Sequence, residues 1–115
     1  MVELWSPGSA VVETLFPGTG HEMVTVYHLD GDDLVLTHYC ALKNQPRLRA
    51  ERTNDPKKIA FKFVGATNVK SDRDRHMHDM TFHFLDADHI KVEGSAYEDG
   101  KQCEAMTFNL TRKKK

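Results

Sequence analysis

Almost no net charge is left on this chain: 16 Lys and Arg stand against 17 Asp and Glu, a balance of −1 with His neutral. A nucleic-acid-binding surface needs a basic excess, so that partner class is not expected. No apolar run approaches the roughly 18 residues of a membrane-spanning helix, so no membrane partner is expected either. No charged, then apolar, then small-residue leader opens the chain, and the expected location is the cytoplasm. Cysteine is scarce. Cys40 and Cys103 are the only two, too few for a disulfide framework, and they read as two thiols or at most one bridge. Also missing is any stretch with the 3.6-residue apolar repeat of an amphipathic helix.

What remains is alternation. At 115 residues the chain is one domain, residues 1–115. Eight segments read as strands: Ser9 to Phe16, His21 to Leu29, Asp33 to Ala41, Arg47 to Thr53, Lys58 to Val64, Met77 to Leu85, His89 to Tyr97 and Gln102 to Thr111. The clearest is Lys58 to Val64, with Ile59, Phe61 and Phe63 of one parity and Lys58, Ala60 and Lys62 of the other. That is the half-buried pattern of an antiparallel sheet. Asp30-Gly31-Asp32 and Glu98-Asp99-Gly100 carry hairpin signatures. Asn44-Gln45-Pro46 reads as a turn. Trp5 reads either as a plug at one end of the core or as a residue packed on a partner, and Arg112 to Lys115 as a solvated tail. Short connections between regular strands predict an all-β fold, an antiparallel up-and-down β-barrel of about eight strands.

The histidines carry the sharpest functional signal. His76 and His78 share a parity with Met80, Phe82 and Phe84, so a strand would turn their imidazoles to the apolar face. His38 shares a face with Leu34, Leu36 and Cys40. His38, His76 and His78 together could ligate zinc, with Glu13, Glu104 or Cys40 as a fourth ligand. His78 is expected in the interior and His76 at the rim, each needing a partner across the barrel, with His38 foremost. His38 and Cys40 lie roughly 6.5–7 Å apart along one strand, long for an activated thiol. No catalytic residues are assigned, and a non-enzyme is expected rather than an enzyme.

A ligand site is the better fit. Asn44, Gln45 and Arg47 would sit at the barrel rim and fix the polar end of a ligand whose body lies among Phe61, Phe63, Phe82, Phe84 and Phe108. The ligand-contacting set is therefore His38, Asn44, Gln45, Arg47, His76, His78 and Phe82. A filled interior would bind nothing and leave a structural or oligomerising module. Glu13, in an apolar run, would need a buried partner such as Arg49 or a histidine.

Three stretches, Gly8-Ser9-Ala10-Val11-Val12-Glu13-Thr14-Leu15-Phe16-Pro17-Gly18, His21 to Leu34 and Leu36-Thr37-His38-Tyr39-Cys40-Ala41, resemble bacterial lipocalin-like (calycin-type) β-barrel proteins of unknown function. Asn44-Gln45-Pro46-Arg47 and His76-Met77-His78-Asp79 fit the same pattern. The resemblance implies an antiparallel barrel around a central cavity that holds a small apolar or amphipathic molecule. Some related barrels hold haem through a His, so haem joins zinc as an alternative to a protein without a cofactor. The family usually begins with a further strand or two, whereas only Met1 to Pro7 precedes the matching region here. A barrel lacking its first strand or strands would expose two edges and pair with a second copy, which makes a homodimer the expected assembly.

Overall fold

The computed structural model describes residues 2–5, 9–16, 18–52, 54–71 and 73–111, the first of these as backbone. The readings of Trp5 as a plug and of Arg112 to Lys115 as a tail lie outside the described side chains. Among the described residues nine strands follow one another: β1 (Val2–Trp5), β2 (Ala10–Leu15), β3 (Met23–Asp30), β4 (Asp33–Tyr39), β5 (Gln45–Ala50), β6 (Lys58–Thr67), β7 (His76–Phe84), β8 (His89–Glu98) and β9 (Lys101–Thr111). Each pairs antiparallel with the next, so chain order is also spatial order. The eight expected strands are all present and β1 is added before them. The sheet curls into an up-and-down half-barrel. Among the described residues no ladder joins β1 to β9. At one end the Phe16 ring, leaving β2, meets the Phe108 ring of β9 at 6.4 Å.

The turns follow local chemistry. Asp99 and Gly100 both have positive φ, 55° and 76°, as the Asp-Gly pair of a type I′ hairpin requires. Three irregularities shape the curl. The register slips at Arg47/Leu48 between β5 and β6, at Met77/Asp79 between β7 and β8, and at Ala96/Tyr97 between β8 and β9. The extra residues are Val64, His78 and Cys103. All three bulges sit towards the end of the sheet where β7 begins. Bulges bend their strands and increase local twist, which is how a sheet is made to curl.

The largest differences from the expected strand boundaries are in β5 and β6. Gln45 and Pro46 belong to β5, which stops at Ala50 rather than at Thr53. Pro46 is fully buried; it stands beside the β5–β6 bulge, where a strand tolerates a missing N–H. The segment Gly65 to Thr67, expected to open the long connection to the next strand, continues β6 instead.

The interior is half filled. Leu36, Leu48, Phe61, Met77, Met80 and Val92 form the buried cluster. Towards the end where β6 begins, the concave face is hollow.

Candidate functional site

The hollow is a cavity of about 450 Å³. Strand alternation turns Val11 of β2, Leu34 of β4, Ile59 and Phe61 of β6, Phe82 and Phe84 of β7, Ile90 of β8 and Leu110 of β9 towards it. Its floor is an aromatic triangle. Phe61 and Phe82 stand 5.7 Å apart edge to face, and Tyr27 meets them at 6.2 and 6.0 Å. This tilted arrangement places ring edges against ring faces, the favoured geometry for aromatic pairs.

Two polar side chains border the cavity, Glu13 and Tyr27. They satisfy each other: the Tyr27 hydroxyl donates to Glu13 Oε1 at 3.0 Å. Burial pushes the Glu13 carboxyl above its usual range, partly offset by that hydrogen bond. Burial, with the nearby Glu13 charge, also drives the Tyr27 phenol above its usual range. The expected partners of Glu13 were Arg49 or a histidine. Arg49 instead binds Asp30 and Asp33 at 2.8 and 2.9 Å on the outside of the β3–β4 hairpin.

Of the seven residues expected to contact a ligand, Phe82 alone lines this cavity. The other six lie towards the opposite end of the strands. His38, 3 % exposed, is hydrogen-bonded to Thr25 Oγ1 at 2.8 Å. The two residues are register partners on β3 and β4. Burial pushes the His38 imidazole down to about 4. Asn44 is buried and its Nδ2 donates to the Arg75 carbonyl at 2.8 Å. Among the described residues its Oδ1 has no hydrogen-bond partner. Gln45 Oε1 accepts from Thr67 and Asn68 at 2.6 Å each. Arg47 lies over Gly65, so close that a Cβ there would stand 2.7 Å from Nη2.

His76 and His78 form a stack with two aromatic rings. Phe63 lies 4.3 Å from His76 and 5.0 Å from His78, and Tyr97 lies 4.0 Å from His78. The expected depths are reversed: His76 is 1 % exposed, while His78 is half-buried. The bulge at Met77/Asp79 causes this, because an extra residue breaks the alternation that would have sunk His78 deepest. Their hydrogen bonds form a chain. His76 Nδ1 donates to the Asp74 carbonyl at 2.7 Å, and His76 Nε2 faces His78 Nδ1 at 2.9 Å. A carbonyl only accepts, so His76 Nδ1 carries the proton of the first bond, and one further proton is shared between His76 Nε2 and His78 Nδ1. Each histidine thus bonds the other, and His38 bonds Thr25. Among the described residues no three His, Cys, Asp or Glu side chains are grouped to hold a metal ion.

The thiols do not meet. Cys40 and Cys103 are both free, and the Cys103 thiol donates to the Ala96 carbonyl at 3.4 Å. The Glu13–Tyr27 pair is the feature that residue-by-residue reading missed. A lone acid among Val11, Val12 and Leu15 was its signal, but only the β2–β3 register brings Tyr27 to it. No family model, curated protein or solved structure matches this chain.

Proposed function

We propose that this protein binds a small apolar or amphipathic molecule in the hollow half of its curled sheet and does so without catalysis. The cavity carries this reading. Its volume of about 450 Å³ falls within the roughly 300–1,000 Å³ of small-molecule sites, and its wall is apolar with one placed polar pair. The resemblance to lipocalin-like barrels supports the same reading. The site is the aromatic triangle with the aliphatic wall above it, not the histidine end of the barrel. Titration with the neutral apolar fluorophore N-phenyl-1-naphthylamine tests it. Saturable, one-to-one enhancement that falls several-fold in Ile59→Trp, which narrows the cavity, is the expected result. Enhancement that never saturates sinks the proposal.

A second reading concerns assembly. β9 is eleven residues long, and β8 is its only ladder partner among the described residues. An unpaired row of backbone groups of that length is a template for another strand. We propose that two copies pair along this edge as a homodimer in the cytoplasm.

A further inference from the structure

The chemistry of the cavity and of its mouth narrows the ligand class, an inference that rests on the cavity being a ligand site. Inside, the wall offers nothing to an anionic head group. No Lys, Arg or His lines it among the described residues. The Tyr27 hydroxyl proton, the one donor present, is already given to Glu13. A carboxylate or phosphate drawn into this space would lose its water and meet a carboxyl group instead of a cation. Unpaired burial of charge is costly.

Outside, an open cleft of about 700 Å³ adjoins the cavity and shares Leu34 and Ile59 with it. The cleft is lined by Asp32, Asp33, Glu51, Asp55, Arg52 and Lys58. Arg49 and Arg52 both hold Asp33 at 2.9 Å, and Arg49 also holds Asp30. Counting Asp30 and Arg49 with the lining gives five carboxylates against three cations, an excess of two negative charges. A head group can rest in this cleft while a hydrocarbon tail lies on the aromatic triangle.

We infer that the ligand is a cationic amphiphile, an alkyl or aryl amine whose apolar body fills the cavity and whose ammonium group sits among the carboxylates at its mouth. Complementary charge at the rim adds attraction and selects against the opposite sign. A general hydrophobic pocket would not rank head groups at a constant tail, whereas this mouth does.

Calorimetric titration of the full chain at pH 7.5 with octylammonium, octanol and octanoate, all below micelle-forming concentrations, separates the possibilities. Octylammonium is expected to bind roughly tenfold tighter than octanoate, with octanol between. High salt should shrink that margin, since rim charges are screened. The double variant Asp32→Asn/Glu51→Gln, checked for its fold by circular dichroism, should lower octylammonium affinity several-fold and leave octanol unchanged. Octanoate binding as tightly as octylammonium overturns the ligand class while leaving the cavity as a site. An unchanged affinity for octylammonium in the double variant overturns it too. Failure of all three compounds to bind overturns the site itself, and the inference with it.

Discussion

Thr25 Oγ1 and His38 Nδ1 face each other at 2.8 Å across the β3–β4 ladder, and both residues are buried. The pair replaces with one internal hydrogen bond the water that both groups lose on folding. Thr25→Val leaves the His38 nitrogen buried and unsatisfied, which should cost about 1–3 kcal/mol. Thr25→Ser keeps the hydroxyl and should cost less. Urea unfolding of the three proteins at pH 7.5 checks the order.

The same histidine makes stability depend on acid. Its folded pKa, pushed down to about 4 by burial, lies below the unfolded value of about 6.5. The group's contribution is therefore complete above about pH 6.5 and is lost as the pH falls from there towards 4. The loss should reach on the order of 3 kcal/mol. His38→Gln should flatten this part of the stability profile; a wild-type profile level between pH 7 and 4 would contradict the buried neutral ring.

Glu13 gives the opposite slope. Its folded pKa is raised, so the folded state holds the proton more tightly than the unfolded chain does. Stability from this group is full below the usual carboxylate range and declines as the pH rises through that range to the raised value. Glu13→Gln should remove the decline and match or exceed the wild-type melting temperature at pH 7.5. Tyr27→Phe should instead lower it by stripping the hydrogen bond from the half-buried acid.

Phe61 belongs both to the filled core and to the cavity floor. Phe61→Ala should cost about 3–5 kcal/mol, since the lost ring leaves a void that the sheet cannot close. Phe82 is only half-buried, so Phe82→Ala should cost less stability while still weakening binding of N-phenyl-1-naphthylamine. Thermal melts and the fluorophore titration separate the two effects.

Pairing along β9 predicts a mass of two chains by light scattering at micromolar concentration. Val92 and Phe108 are register partners across β8 and β9, so the inner side of β9 is already committed. Proline replacing a β9 residue whose N–H points to the free edge should yield monomers that keep the far-ultraviolet signature of the sheet. A monomer in the parent protein at that concentration contradicts the edge-paired dimer.

Much of the fold was legible because a strand's side chains alternate with period two. Ile59, Phe61 and Phe63 announce an inner face whatever lies opposite, and Asp99-Gly100 announces a hairpin through its backbone preferences alone. The start of β5 was not legible. Proline signals a break by its missing N–H, and only the neighbouring bulge lets Pro46 stand inside a buried strand. His76 and His78 do meet on one ring, as equal parity predicts, but their depths were not legible, because His78 is itself the extra residue of the Met77/Asp79 bulge.

The sequence by itself determined an all-β meander, its strand count to within one, and which face of most strands is apolar, because those properties depend on residues close together in the chain. It did not decide which end of the half-barrel is hollow. That depends on how side chains from seven strands share one volume: Leu36, Leu48 and Met77 close one end, while Val11, Leu34 and Ile90 leave the other open. Nor did it decide that Glu13 would face Tyr27, since the register between β2 and β3 is set by the packing of the whole sheet. The candidate site moved from the histidine end to the aromatic end for that reason.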